Sequence, residues 1–290
     1  MMQLPQRNPY SGAALVRLLA RLMQTGVPAS EVSLPDRLSQ WLGWTDAIAL
    51  SSALDAAAPA PLAGAQSARG DATVATLEAA LCARTRATLT ASIDALDAAR
   101  RGAKGRRNGV SLGARAGAAP MRGNAGSNAR IEAGSEAGTA ADAAPDFAPF
   151  GQRYQAQQQA MESAIGELRS RLRAMLATRG ERHARLALVD ATMARAVEAR
   201  ERSLLGMVPA LLETHFTRLR DTALAAAGAV DAAEVAAVAA VAEPAEPVQT
   251  APPAGAWLDA FCEDMRAVLL AELELRFEPV EGLLAALRAS

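Results

Sequence analysis

The sequence predicts an all-α protein, an elongated helical bundle of long antiparallel helices with two low-complexity linkers. Three observations predict it. Alanine supplies much of the 51% hydrophobic content, and alanine has the best intrinsic helix propensity and lets helices approach closely. Valine and isoleucine are sparse and mostly scattered, which leaves little material for strands. Apolar residues recur at three- and four-residue steps over long stretches, the period of an amphipathic helix. Aromatics are only 3% of the 290 residues, so the core is expected to be thin for a chain with room for one large or two modest domains.

Residues 1–102 are expected to form an N-terminal three-helix module. Ser11 can cap a first helix with the stripe Leu15, Leu18, Leu19 and Leu22, ended by Gly26 and Pro28. A second starts at Ser33, with Pro35 in the first turn and Asp36 three residues from the cap. Its stripe, Leu34, Leu38, Trp41, Thr45 and Ile48, reads as one continuous helix. Asp71 opens a third, with Val74, Leu77, Leu81, Ile93 and Leu96 inward and Gly102 as its stop.

Residues 103–144 lose this period in Gly, Ala, Ser, Asn and Arg. Such a segment cannot bury enough apolar surface to offset its ordering entropy and reads as a disordered basic linker. Residues 145–227 form a long helical hairpin. Its first arm carries a heptad-like seam of Tyr154, Met161, Ile165, Leu168, Leu172 and Met175, closed by Gly180. The second arm begins near Glu181, with Leu186, Val189, Met193, Val197 and Leu204 inward. Gly206 and Pro209 predict a kink or a fresh start before Leu211, Leu212, Phe216 and Leu219.

Residues 228–254 are an Ala/Pro-rich linker, partly helical near Asp231–Val241. In residues 255–290, Trp257, Leu258, Phe261, Met265, Val268, Leu269 and Leu275 mark a strong amphipathic helix. Pro279 is expected to start a short last helix with Leu283, Leu284 and Leu287. These C-terminal helices are expected to pack on the hairpin; an intermolecular coiled coil is the alternative use of the same stripes.

The net charge of −1 provides no global field to attract nucleic acid or a membrane surface. Cys82 and Cys262, far apart in sequence, suit a reducing compartment better than a disulfide scaffold. The apolar stretch Ala13–Met23 contains Arg17 and Arg21, and no small-residue cleavage site follows it. No uncharged run of large apolar residues reaches the roughly 20 needed to span a bilayer. A cytoplasmic protein without direct membrane insertion is the expectation.

The search for chemistry yields no catalytic, cofactor or metal candidate. Gly109-Val110-Ser111-Leu112-Gly113 matches the nucleophile-elbow pattern, but that chemistry needs a strained strand-to-helix turn, and no strand flanks it. His183 and His215 are the only histidines, and no His or Cys pair has metal-ligand spacing. The sole lysine, Lys104, lacks the phosphate-loop context.

Three features point to partners instead. Glu263, Asp264, Glu272 and Glu274 read as an exposed acidic face, either solvated or a docking surface. Arg100, Arg101, Lys104, Arg106 and Arg107 begin a basic run to Arg130 that could contact phosphates, though it has no aromatic residue to stack a base. Of the Trp41/Trp44 pair, Trp41 lies on the apolar stripe, and Trp44 is the one open to an interface role.

The segments SGAALVRLLARL, RLSQWLGWTDAIALSSALD, DFAPFGQRYQAQQQAMESAIGELRSRLR, ARERSLLGMVPALLETHFTRLR and AWLDAFCEDMRAVLLAELELRFEPVEGLLAALR together resemble a bacterial family built on a domain of unknown function. The resemblance covers nearly all the predicted helices and carries no activity, cofactor or functional residue. It implies an accessory role for an envelope complex, on its cytoplasmic face. The expected function is a non-enzymatic helical adaptor or assembly protein with a protein partner, such as a membrane or envelope protein, or a second copy of itself. Nucleic-acid binding through residues 100–130 is the alternative.

Overall fold

Helix dominates as the composition requires. The computed structural model describes residues 14–25, 34–55, 68–110, 145–239 and 255–289, and no strand occurs among them. The all-α fold class expected from the sequence is the observed one. In chain order the helices are α1 (Ala14–Leu22), α2 (Leu34–Trp41), α3 (Trp44–Asp55), α4 (Ala68–Val110), α5 (Ala148–Thr178), α6 (Glu181–Leu205), α7 (Val208–Ala239) and α8 (Ala256–Arg288).

Several boundaries fall where local chemistry demands them. Gly180 separates α5 from α6 at φ +137°, a conformation that glycine reaches without the Cβ penalty of other residues. Between α6 and α7 the helix stops at Leu205 and restarts at Val208. Pro209 then sits in the first turn of α7, where its missing N–H is not needed. That is the fresh start expected from Gly206 and Pro209.

Other boundaries differ from the expectation. The stripe from Leu34 to Ile48 is two helices. Gly43 breaks it, and the Asp46 carboxylate accepts the Gly43 backbone N–H at 3.2 Å, half of a capping box that launches α3. Gly102 does not stop α4, which continues to Val110; a single glycine costs a helix only about 1 kcal/mol relative to alanine. The disorder expected for 103–144 therefore fails for 103–110, and its remainder lies outside the described residues. Helix α7 runs past Gly228 to Ala239. Pro279 does not begin a new helix: it lies inside a continuous α8, held by Phe277, Val280 and Leu283, all buried on the same core side.

The core is organised around α8. This helix packs against α1, α4, α5 and α7, while α5 also packs on α6 and α3 lies on α6. One continuous cluster of buried residues takes in Leu15 and Leu22 of α1, Leu89 and Ile93 of α4, the α5 seam, Leu212 and Phe216 of α7, and α8. The seam reads as expected: Tyr154, Met161, Ile165, Leu168 and Leu172 are buried, and Leu176 is buried where Met175 is only partly so. Each such Leu, Ile or Met burial stabilises the fold by about 1.5–3 kcal/mol.

Scarce aromatics are concentrated rather than spread. Phe147, Phe150, Phe216 and Phe261, four of the five phenylalanines, meet edge-on or tilted with ring centroids 5.0–6.2 Å apart. Trp257 joins them on Phe216 at 5.2 Å. Edge-to-face pairs add about 0.5–1.5 kcal/mol beyond area burial. Ion pairs tie α4 to the spine: Arg171 of α5 clamps the buried Glu78 through Nε and Nη2 at 2.8 and 2.6 Å, and Arg266 of α8 bonds Asp94 at 2.6 Å.

Three expected core positions on α4 and α6 point outward. Leu77 is 62% exposed, because the buried stripe of α4 runs Ala75, Glu78, Cys82, Leu89, Ile93, out of phase with it. On α6 the buried positions include Ala184, Ala187 and Thr192. Small side chains face the neighbouring helices there, and Leu186 and Leu204 are left exposed.

Candidate functional site

Trp44 begins α3, whose only fully buried residue is Ala53. Its indole is 81% exposed, and Ile48 and Leu54 on the same short helix are also exposed. Trp41, one helix earlier, is half-buried with Arg200 over its ring at 5.8 Å, so it is a packed residue at the margin of the bundle.

The acidic residues of α8 divide. Glu263, Glu274, Glu278 and Glu281 are exposed, and helical geometry brings positions 263, 274 and 281 to one side. Arg86 reaches Glu274 at 3.4 Å and Glu281 at 2.5 Å, so part of that face is already paired. Asp264 turns toward α7. Glu272 contradicts the exposed-face expectation: it is 0% exposed. It lies nine residues from Glu263, about two and a half turns, and so faces the opposite side of the helix.

Glu272 is the centre of a buried polar network. The Tyr154 hydroxyl donates to it at 2.6 Å, and Gln158 Nε2 lies 3.1 Å from both carboxylate oxygens. Arg276 holds its Oε1 at 2.9 Å and reaches Glu201 of α6 at 3.5 Å. Gln158 also donates to the Leu205 carbonyl at the end of α6 at 3.0 Å. Burial, then the charge of Glu272, pushes the Tyr154 phenol far above its ordinary value, so it remains a donor. The network is satisfied on every side and ties α5, α6 and α8 together. Nothing in the linear pattern announced it except a glutamate at a core-phase position of α8.

A second cluster joins α1, α7 and α8. His215, 4% exposed, places Nε2 2.8 Å from Asp264 Oδ2 and Nδ1 2.9 Å from Arg218 Nη2. Arg218 donates there, which assigns the imidazole proton to Nε2, and it also donates to the Leu22 carbonyl that ends α1. Both ring nitrogens are occupied, leaving no lone pair for a substrate or metal. Among the described residues no group of three His, Cys, Asp or Glu is placed to hold a metal ion. Burial, and secondarily Glu78, pushes the Cys82 thiol up, which keeps it protonated and unreactive.

One apolar concave feature was not foreseen from the sequence. A cleft of about 840 Å³ lies among α1, α5, α6, the start of α7 and α8, with Val16, Leu19, Ile165, Val197, Leu204 and Leu275 in its walls and Trp41 at its margin. Arg100, Arg101, Lys104, Arg106 and Arg107 lie on the last turns of α4, and the serine of the nucleophile-elbow pattern falls outside the described residues. No described helix is long and apolar enough to cross a membrane.

These features define an all-helical bundle protein whose buried polar groups bind helices to one another and whose exposed apolar residues include three on α3 and three at one cleft. The chain belongs to the DUF3348 family, proteins of unknown function, whose family model matches residues 1–289. This agrees with the family resemblance carried by the helical segments. No curated protein and no solved structure matches the chain.

Proposed function

We propose that the protein is a non-enzymatic helical adaptor or assembly protein, accessory to a bacterial envelope complex on the cytoplasmic side. The observation that carries this reading is Trp44, a large amphipathic side chain 81% exposed at the start of a helix with little burial of its own. Tryptophan is among the residues that dominate protein–protein hot spots, and an exposed apolar surface of this kind calls for a partner. The exposed carboxylates Glu263 and Glu274 of α8 offer a separate, acidic contact surface.

The test is affinity purification of the tagged protein from detergent-solubilised, nuclease-treated cells, with recovered proteins identified by mass spectrometry. A membrane or envelope protein recovered with the native chain and lost with Trp44→Ser is the expected result. Recovery of nothing specific, or recovery indifferent to Trp44 and to Glu263→Lys/Glu274→Lys, ends the reading.

The continuation of α4 favours nucleic-acid binding as a second reading, because it carries five cations in its last turns. Binding to duplex DNA should then weaken steeply with salt and disappear on deletion of residues 100–130. Binding unchanged by the deletion excludes it.

A further inference from the structure

We infer that the cleft among α1, α5, α6, the start of α7 and α8 is a receptor groove for a short amphipathic helix of a partner protein, one carrying basic residues at one end and acidic residues at the other. Its walls are mainly apolar, and Val16, Leu204 and Met207 at its edge are left exposed. An apolar stripe with residues spaced three and four apart is the surface that such a groove accepts. Trp44 does not line the cleft, so this inference stands apart from the role proposed for α3.

The charges around the cleft specify the occupant. At one end Glu162, Glu198, Glu201 and Glu278 gather. Against these four carboxylates stand three guanidinium groups: Arg200 lies over the Trp41 ring at 5.8 Å, Arg202 is shared between Glu162 at 3.3 Å and Glu198 at 2.5 Å, and Arg276 is already committed to Glu272 as well as Glu201. Negative charge is in excess there. At the other end Arg169 and Arg173 share the single carboxylate of Asp190, each at 2.8 Å. Arg195, exposed between the two ends, makes no ion pair among the described residues. Positive charge is in excess on that side. A uniformly anionic or cationic ligand would be attracted at one end and repelled at the other, whereas a helix of divided charge satisfies both. From Glu162 to Arg173 along α5 is eleven residues, about 16 Å at the helical rise, the length of a three-turn helix.

The test uses the full chain and three synthetic stapled helices of about three turns that share one leucine stripe. One carries lysines at one end and glutamates at the other; the second carries only glutamates, the third only lysines. Binding is read by fluorescence anisotropy of the labelled peptides. The divided-charge peptide is expected to bind at least about tenfold tighter than either uniform one, an advantage that shrinks with salt. Leu204→Asp, at an exposed position that leaves the melting temperature unchanged, should abolish the binding, and Trp44→Ser should leave it intact. Equal affinity for the three peptides, no binding of any, or indifference to Leu204→Asp overturns the inference. So does loss with Trp44→Ser, which would move the contact to α3, and so does a concentration-dependent dimer abolished by Leu204→Asp, which would make a second copy the occupant.

Discussion

Helices α8 and α3 are built from similar alanine- and leucine-rich sequence, yet they stand at opposite ends of the energetic scale. Helix α8 buries twelve of its 33 residues, among them a carboxylate. Helix α3 buries one of its twelve and turns Trp44, Ile48 and Leu54 to solvent. The difference is one of neighbours rather than propensity. Helix α8 meets four other helices, whereas α3 has α6 as its principal support. A helix packed by several neighbours contributes cohesion, and one supported on a single side keeps a face for recognition.

Removing the Glu272 counter-charge should strike the α8 side of this comparison hardest. Arg276→Ala leaves Glu272 buried without its cation and is expected to cost about 3–5 kcal/mol in urea unfolding. The double variant Glu272→Leu/Arg276→Met, which removes both charges, should cost clearly less. Equal losses would mean that the network is not what holds the spine. A smaller effect is expected where α7 meets α8. Asp264→Ala leaves the His215 Nε2–H without its acceptor and should cost about 1–3 kcal/mol by the same measurement.

Tyr154 gives a pH-dependent version of the contrast. Its native phenol is raised above the unfolded value of about 10, so its contribution is fully present below pH 10 and is lost as pH rises toward the native value. Unfolding stability measured above pH 10 should fall by up to about 1.4 kcal/mol per pH unit on this account. Tyr154→Phe should flatten that slope; an unchanged slope would remove Tyr154 as its source. The smallest stability effect belongs to α3. Trp44→Ser should change stability by less than about 0.5 kcal/mol, while abolishing partner recovery. A large loss of stability there would show that α3 is part of the core after all.

Much of the fold was legible because it depends on near-neighbour chemistry. The α5 seam from Tyr154 to Leu172, the break at Gly180 and the restart around Pro209 all follow from residues within a turn or two of one another. Trp44 was legible as the exposed member of its pair for the same reason. Pro279 misled, since the expected break is overridden by Phe277, Val280 and Leu283 holding α8 in the core on both sides of it. The α2–α3 break was hidden because the stripe from Leu34 to Ile48 has helical period, while the Gly43–Asp46 capping bond that interrupts it is a matter of three residues.

The candidate sites divide along the same line. Glu263 and Glu274 could be placed on the outside by period alone. Glu272 could not: its cation, Arg276, is four residues on, but a glutamate in core phase is buried only if further donors arrive from elsewhere, and Tyr154 and Gln158 lie 118 and 114 residues away. The His215 cluster likewise needs Asp264, 49 residues on, and the Leu22 carbonyl, 196 residues before Arg218.

Alanine content and apolar period determined by themselves that the described chain is helical and which stretches are long, because those properties are decided within a few turns of backbone. Tertiary structure alone decided which stripes were buried, that Glu272 is an internal charge, that Leu77 and Leu204 face outward, and that the packed helices leave a cleft with acid at one end and base at the other. Those outcomes depend on which surfaces meet, and contacts between residues a hundred positions apart have no signature in local periodicity.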